Sequence, residues 1–242
     1  MSTADAGASS NAVPGPELRP QHRARGDVSR ERILDAVSEI TAERGYDGTS
    51  ISLVSERSGL PASSIYWHFE NKDQLIAAVI DRSFKRFLEK LTPIIERSAA
   101  NSPDLATILV PAAEKFLEES HHARFGLMLL LDRRPQELSG RRLFLEQRCA
   151  IREIGVKVWQ MVMPQLSPRS HQRLMVLTLA GIDGLFLAHE RENVEFLAQV
   201  ELLATGLMAV GRRLEEEERE QASRVEAETR SAGPAQRETA SD

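Results

Sequence analysis

The sequence predicts an all-α protein of about nine helices, and three observations support that class. Between about residues 27 and 213, apolar residues recur every three or four positions, as on one face of a helix. Helix-starting combinations, a capping residue followed by proline or an acid, begin at Ser102, Ser167 and Asn193. No segment shows the apolar–polar alternation of a half-buried strand.

The first three predicted helices are compact. The first is expected at about 29–44 and stops at Gly45. Thr49 or Ser50 caps a short second helix, which ends at Gly59. The third holds the stretch "SSIYWHF". Two short helices joined at a glycine are typical of a helix-turn-helix, although an ordinary helical corner has the same spacing.

Asn71 caps a longer fourth helix that begins "KDQLIAAVI". Five further helices are expected at about 103–120, 122–132, 135–163, 168–191 and 194–213. Several of them carry an apolar stripe at helical spacing, which predicts a large helical region after the first three helices.

The net charge of −5 is concentrated at one end of the chain. From Leu214 onward there are nine acidic and four basic residues, which account for the whole balance. Residues 23 to 90 carry eleven basic and eleven acidic side chains. Local patches rather than the total charge must therefore decide the partners.

Composition also restricts the location and chemistry of the protein. The single cysteine, Cys149, cannot form an intramolecular disulfide and suits a reducing compartment. Residues 1–26 lack the apolar run of a signal peptide, and no run of about 18 apolar residues predicts a membrane span. We therefore expect a cytoplasmic protein with no membrane partner.

Catalytic and metal-binding signatures are missing from the sequence. No zinc-type spacing, glycine-rich phosphate loop or nucleophile elbow occurs. The adjacent His121 and His122 would point about 100° apart on a helix, so they cannot easily share one metal. We expect a protein that is not an enzyme and needs no cofactor or metal.

The decapeptide "SSIYWHFENK", residues 63–72, favours DNA as the partner. Ile65 and Phe69 lie four residues apart and are expected to pack inward, which leaves Tyr66, Trp67 and His68 around the rest of a two-turn helix. Polar-tipped rings can donate hydrogen bonds to phosphate while they fill a groove wall. A small-molecule or protein-binding module that acts without DNA remains the alternative, although it leaves these rings without a purpose.

The segment "GYDGTSISLVSERSGLPASSIYWHFENKDQL", residues 45–75, resembles the DNA-binding domain of the TetR family of bacterial transcription regulators. The matching elements are Gly45-Tyr46, Thr49-Ser50, Gly59-Leu60, Tyr66, His68-Phe69, Lys72 and Leu75. With the preceding helix the resemblance covers about 29–78. Later in the chain, "GIDGLFLA", residues 181–188, is similar to the penultimate helix of the family.

Composition and the resemblance together predict four regions, and the resemblance implies a set of DNA contacts. The regions are a disordered arm at 1–26, a three-helix DNA-binding domain at 27–74, a larger ligand-binding and dimerisation domain at 75–213 and an acidic disordered tail at 214–242. Phosphate contacts are implied for Thr49, Ser50, Ser64, Tyr66, His68 and Lys72. Base contacts are implied for Ser52, Ala62, Ser63 and Trp67.

The base-facing positions depart from strong base-reading chemistry. Ala62 and Ser63 offer no bidentate group for guanine or adenine, so we expect DNA shape and half-site spacing to contribute to specificity. Arg23 and Arg25 in the arm are candidates for minor-groove insertion. The arm could equally be a solvated linker.

The resemblance also implies a homodimer formed through the last two long helices. The interface residues expected there are Leu177, Gly181, Gly184, Leu185, Ala188, Phe196, Val200, Leu203 and Leu207. Two such helices from each protomer would form a four-helix bundle. Alternatively, these stripes belong to the core of one chain.

A ligand chamber is implied among the middle helices, where soft apolar side chains gather. Its candidate residues are Arg124, Phe125, Met128, Phe144, Cys149, Trp159, Met163 and Met175. Plain core packing explains the same stripes. Arg124 is expected to pair with Asp132 or with an anionic ligand, and Asp183 to bond within its own helix.

Taken together, the residues and the resemblance predict a homodimeric regulator that binds a palindromic double-stranded DNA operator. The favoured form is a repressor released by a small, largely apolar effector. A regulator that needs its ligand as corepressor or activator is the alternative within the same class.

Overall fold

The computed structural model describes residues 20–99, 104–131 and 139–231. Within these ranges the chain forms nine α-helices and no strand, which confirms the all-α prediction. None of the described helices is long and apolar enough to cross a membrane. The helices are α1 (Pro20–Arg44), α2 (Ile51–Ser58), α3 (Ala62–His68), α4 (Lys72–Ala99), α5 (Leu105–Glu118), α6 (His121–Leu131), α7 (Ser139–Val162), α8 (Pro168–Glu192) and α9 (Phe196–Ser231).

The chain divides into an N-terminal unit that ends at Leu75 and a C-terminal unit that begins at Ile76. In the N-terminal unit α1, α2 and α3 pack against one another. Its core consists of apolar side chains with almost no solvent exposure: Ile33, Leu34, Val37, Ile40, Val54, Ile65, Phe69 and Leu75. These residues recur at helical spacing, so each short helix buries one stripe.

Local signals in the sequence explain most of the helix ends. Gly45 and Gly59 both have positive φ, 70° and 65°, and they end α1 and α2. The Ser50 hydroxyl caps α2 by accepting a hydrogen bond from the backbone N–H of Leu53. The Asn71 side chain accepts from the N–H of Gln74 over 2.9 Å and so caps α4 as expected.

The first helix begins earlier than the sequence analysis predicted. It starts at Pro20, so residues 20–26, expected to be disordered, are helical. Proline suits a first helical turn, and the arginines and alanine that follow are good helix formers. The composition of 1–26 as a whole hid this local preference. Residues 1–19 and the side chains of Arg23 and Arg25 lie outside the described part.

The last helix also extends beyond its predicted end at 213, and the expected disorder from 214 is wrong as far as Ser231. Ion pairs at helical spacing join Arg213 to Glu217 and Arg219 to Glu215. Glu218 accepts hydrogen bonds from the backbone and side chain of Ser167 and from the side chain of Ser170. This anchor ties the acidic segment to the start of α8.

The C-terminal unit is a helical bundle in which α9 packs on α5 and α8, while α7 packs on α6 and α8. An aromatic cluster occupies one part of its core, where the Phe116 ring lies near the rings of Phe87, Phe186 and Phe196 at centroid distances of 5.3–6.1 Å. A second cluster surrounds Trp159 and Leu174. Together the clusters hold the walls of the cavity described below.

Candidate nucleic-acid interface and ligand cavity

The third helix presents an exposed aromatic surface. Ile65 is fully buried on the opposite side, while Tyr66 is 57% exposed and Trp67 is 71% exposed. Ala62 and Ser63 are exposed one turn earlier, directly beside the two rings. The helix therefore packs on the N-terminal unit through Ile65, and its small and aromatic side chains face outward.

One backbone conformation and two hydrogen bonds stabilise the turn before α3. Gly59 adopts the left-handed conformation that a side chain would strain. The Ser55 hydroxyl donates to the carbonyl oxygen of Leu60 over 2.7 Å, and the Arg32 guanidinium donates to that of Ser58 over 2.7 Å. Because α1, α2 and the turn are joined in this way, the direction of α3 is fixed by the N-terminal unit itself.

Trp67 lies against the first part of α1, with His68 beside it. A Cβ atom added to Gly26 would lie 3.6 Å from the Trp67 ring, and the Trp67 and His68 rings meet edge to face at 4.6 Å. Burial, and then the nearby charge of Arg30, lower the pKa of His68, although Asp27 opposes the shift. At neutral pH His68 is thus a neutral donor, with Arg30 as the cation beside it.

The start of α2 adds two exposed hydroxyls. The Ser50 and Ser52 oxygens lie 3.0 Å apart, and both residues are exposed. Ser64 and His68, both half-buried, complete the surface around α3. These are the polar groups that the sequence analysis assigned to DNA.

Thr49 has a different place from the predicted one. Its side chain is only 2% exposed, and its hydroxyl donates to the carbonyl oxygen of Gly45 and lies 3.0 Å from the Thr41 hydroxyl. A phosphate contact by this side chain is therefore wrong. The Thr49 hydroxyl instead connects the loop before α2 with the end of α1.

Lys72 is half-buried and bonded within the N-terminal unit. Its ammonium donates to the carbonyl oxygen of Tyr46 over 2.9 Å and lies 4.2 Å from the centre of the Tyr46 ring. The lysine thereby connects the first turn of α4 with the loop between α1 and α2. Its charge remains at the surface, but its position is set by Tyr46.

The acids on α1 are partly neutralised by α2. Arg57 pairs with Glu39 and Glu43 at 3.0 Å each, and the hydrogen bond from Arg57 is the largest cause of the lowered pKa of Glu43. Between residues 27 and 75 the sequence has nine acidic and five basic residues. This pairing offsets the negative charge of two of the acids on α1.

A cavity of about 150 Å³ lies within the C-terminal unit. Its walls are mainly apolar and include Phe84, Phe87, Leu91, Phe116, Phe144, Ile151, Trp159, Met175 and Ile182. Of the eight residues that the sequence analysis assigned to a ligand chamber, Phe144, Trp159 and Met175 line this cavity. Four residues of α4, from Phe84 to Ile95, form part of its wall.

The other five predicted chamber residues lie elsewhere. Phe125 and Met163 are buried core residues, and Met128 is half-buried. Arg124 pairs with Glu190 at 2.8 Å, and Cys149 is exposed. Helical period identified the correct helices but could not distinguish the cavity-facing side from the opposite one. Asp132, the predicted partner of Arg124, lies outside the described residues.

Besides Thr178, four polar residues line the cavity beside the apolar ones. Arg148 and Asp183 form a two-point ion pair at 3.1 and 2.7 Å across α7 and α8, so Asp183 does not bond within its own helix as expected. Nδ1 of His122 donates to the carbonyl oxygen of Glu119 over 2.7 Å, and burial lowers its pKa to about 4. The fourth polar residue is Gln147, which is only 6% exposed.

The predicted dimer residues divide between core and surface. Phe196, Val200 and Leu207 are buried in the chain's own core, and Leu185 and Ala188 are half-buried. A Cβ on Gly181 would lie 2.7 Å from Leu203, so these two residues pack α8 against α9 of the same chain. The three buried side chains are therefore occupied by the chain's own core, whereas an interface role for the partly exposed residues stays a prediction.

Leu177 and Gly184 remain on the surface, together with further small and apolar residues of the same two helices. Exposed small and apolar residues of α8 and α9 include Val176, Leu177, Ala180, Gly184, Leu187, Leu202, Gly206, Ala209 and Val210. We call this set the α8–α9 face. On α9, Leu202 and Gly206 of this face stand one residue before Leu203 and Leu207 of the predicted stripe. The predicted stripe packs into the core instead.

The N-terminal unit matches a known protein family. Residues 33–79 match the family model described as bacterial regulatory proteins, tetR family. This N-terminal part of the chain is similar to the tetR family of bacterial regulatory proteins. The match runs from the middle of α1 to the first turns of α4, the part that carries the Tyr66–Trp67 surface, and it confirms the resemblance seen in the sequence.

Curated relatives match over about a third of this chain. An HTH-type transcriptional repressor of Mycobacterium tuberculosis is 34% identical over 76 residues, 31% of this chain and 29% of the relative. The fatty acid metabolism regulator protein of Bacillus subtilis is 27% identical over 78 residues, 32% and 40% of the two chains. The matched segments thus span less than half the length of these relatives.

A solved structure extends the likeness over most of the chain. The transcriptional regulator of Aquifex aeolicus has a TM-score of 0.61 and 23% identity, and the match covers 75% of this chain and 99% of that one. At this identity the likeness concerns the fold. It confirms an N-terminal helix-turn-helix followed by a larger helical region.

Several residues of both sites were not predicted from the sequence. Arg30 beside α3 was missed because no motif includes it. Gln147, Arg148 and His122 line the cavity, but a polar residue on an amphipathic helix ordinarily faces water. Within the described ranges, no three His, Cys, Asp or Glu side chains gather as metal ligands would.

Proposed function

We propose that this protein is a DNA-binding transcriptional regulator of the TetR family, and that it acts as a repressor released by a small molecule. The observation that carries the proposal is the exposed pair Tyr66 and Trp67 on a short helix whose direction is fixed by the preceding turn. An inward-facing role for these rings is inconsistent with their exposure. Such a helix fits a major groove.

The DNA contacts divide by chemistry. Ser50, Ser64, Tyr66, His68 and Lys72 would contact phosphates, and we add Arg30, whose guanidinium lies 5.6 Å from the Phe69 ring centre at the end of α3. Ser52, Ala62, Ser63 and Trp67 would face bases. With so few base-reading groups, sequence discrimination would depend on DNA shape and on the spacing of two half-sites.

A homodimer would supply the two half-sites. The α8–α9 face supports this, because it combines leucine and valine with glycine and alanine, which permit close approach of helices. Gly184 and Gly206 have no atoms within 4 Å of where a Cβ would stand, so the surface is open to a second chain. Two copies of this face would form a four-helix bundle.

The switch would act through α4. This helix begins with Lys72 in the N-terminal unit, and four of its residues line the cavity of the C-terminal unit. A ligand that binds one position of α4 better than another would change the separation of the two recognition helices. Nearly complete release requires about 5.5 kcal/mol of differential affinity between the two states.

Selection of duplexes by the purified protein tests this function. Bound fragments from a random pool would be sequenced, footprinted and measured again at rising salt, where phosphate contacts weaken. We expect a palindromic site and a dimer on it. Enrichment only after a cell extract's small molecules are added would indicate a corepressor, and no enrichment under either condition would favour a module that acts without DNA. A DNA regulator would work in the cytoplasm.

A further inference from the structure

Gln147 is the most unusual residue of the cavity. It lies on α7, is 6% exposed and lines the cavity, yet neither its amide nitrogen nor its amide oxygen has a hydrogen-bond partner. An amide buried without partners is costly, and native proteins pair nearly all such groups. A donor and an acceptor therefore stand side by side at an apolar surface and lack a complement within the protein.

The remaining polar groups in the wall are satisfied or neutral. Arg148 and Asp183 cancel each other's charge through two contacts. The Trp159 indole N–H donates to the Thr178 hydroxyl over 3.1 Å, and that hydroxyl donates to the carbonyl oxygen of Leu174. His122 keeps its ring neutral in the apolar surroundings. A charged ligand would find no unpaired counter-charge among these groups and would lose its hydration.

We infer that the cavity selects a neutral, compact, apolar molecule that carries one adjacent donor–acceptor pair, such as a carboxamide or lactam, and that Gln147 reads this pair through two hydrogen bonds. The inference rests on the proposed function only for the consequence of binding. The volume of about 150 Å³ matches a cavity that takes up a benzene-sized ring. An amide on such a ring would pair with Gln147 in the same way that two amides pair with each other.

Three probes of nearly equal shape separate this inference from simple hydrophobic binding. Benzamide has the donor and the acceptor, acetophenone has only the acceptor, and α-methylstyrene has neither. Their affinities for the wild-type protein and for Gln147→Leu would be measured without DNA, by calorimetry or by ligand-dependent thermal stability. Gln160→Leu is the matched control, since Gln160 is exposed on the same helix.

We expect Gln147→Leu to weaken benzamide at least tenfold, to weaken acetophenone less and to leave α-methylstyrene unchanged or tighter. Gln160→Leu should change none of the three. Gln147→Met, which keeps the length of the side chain, should behave like Gln147→Leu and guards against a shape effect. Folding of each variant would be checked by its thermal transition.

Several results would overturn the inference. Equal effects of Gln147→Leu on the affinities of all three probes would mean that Gln147 only shapes the cavity and makes no specific hydrogen bonds to a ligand. No effect on benzamide would mean that ordered water satisfies the amide. Tighter binding of benzoate than of benzamide would indicate an anion site, and failure of every probe to bind the wild type would remove this ligand class.

Addition of a selected duplex distinguishes this inference from the proposed function. If benzamide binds through Gln147 but does not release the duplex, the inferred ligand class is supported and the proposed release of DNA by such a ligand is refuted. If no duplex is ever bound while the pattern of probe affinities holds, the DNA-binding function fails alone.

Discussion

Lys72 bonds back to Tyr46, 26 residues earlier in the chain: its ammonium donates to the Tyr46 carbonyl oxygen over 2.9 Å and lies 4.2 Å above the ring. The first residue of α4 therefore closes the loop between α1 and α2. A movement of the first turn of α4 would therefore lengthen or break this hydrogen bond.

Replacement of Lys72 by methionine tests this relationship. Methionine keeps the aliphatic stem but loses the hydrogen bond and the cation–π contact, so we expect a loss of about 1–3 kcal/mol in unfolding free energy. DNA affinity should fall by a similar factor on specific and non-specific duplexes, because phosphate contacts carry no sequence. Urea unfolding and filter binding measure the two effects. Loss of stability with normal DNA affinity would restrict Lys72 to the loop contact.

Thr49 should matter for folding and not for DNA. Thr49→Val keeps the shape but leaves the Thr41 hydroxyl and the Gly45 carbonyl without this partner, at a cost of about 1–2 kcal/mol. The folded variant should bind DNA as the wild type does. Thr49→Ser retains the hydroxyl and should recover most of the stability. A large loss of DNA affinity in a fully folded Thr49→Val would restore the phosphate contact that its burial argues against.

Leu202 should be required for the dimer. Its side chain is 66% exposed on the α8–α9 face, and Leu202→Glu would bury a carboxylate between two chains. We expect monomers in sedimentation at micromolar concentration and a loss of tight operator binding. Val225→Glu is the matched control, because Val225 is 61% exposed further along the same helix. Dimers of unchanged strength in Leu202→Glu would exclude this part of α9 from the interface.

Glu218 should hold the last part of α9. Burial opposes its charged form, but hydrogen bonds from Ser167 and Ser170 outweigh burial, and the pKa of Glu218 is lowered. Its stabilising effect is present above the ordinary carboxyl pKa and is lost as the pH falls through the lowered value. Glu218→Ala should increase hydrogen exchange over about 215–231, whereas Glu226→Ala, on an exposed position of the same helix, should not. Equal exchange in the two variants would show that the ion pairs along the helix suffice.

His122 should make stability depend on pH. Its folded pKa of about 4 lies below the ordinary value of 6.5, so the unfolded chain binds more protons between these pH values. Stability should therefore rise as the pH increases from about 4 to 6.5, by up to about 3 kcal/mol from this residue. His122→Phe keeps an aromatic ring between Phe84, Phe87 and Phe116 and should flatten this part of the curve. An equally steep curve in the variant would assign the dependence to other groups.

The sequence by itself determined the helical class, the turn at Gly59 and the exposed rings of α3. These features depend on contacts a few residues apart, such as the Asn71 cap or the four-residue spacing of Ile65 and Phe69, and such contacts are visible in the order of residues. The family resemblance depended on the same local pattern. The helical end of α9 was missed, since its anchor Glu218 bonds to Ser167, about fifty residues away.

Only the tertiary structure decided which side of each long helix faces inward. The stripe containing Phe196 and Val200 and the α8–α9 face are both apolar, and helical spacing alone cannot rank them. Burial then depends on the shapes that α5 and α8 present to α9. The same reason applies to Gln147: an amide on a long helix looks solvent-facing until the neighbouring helices enclose it and leave its two polar atoms without a partner.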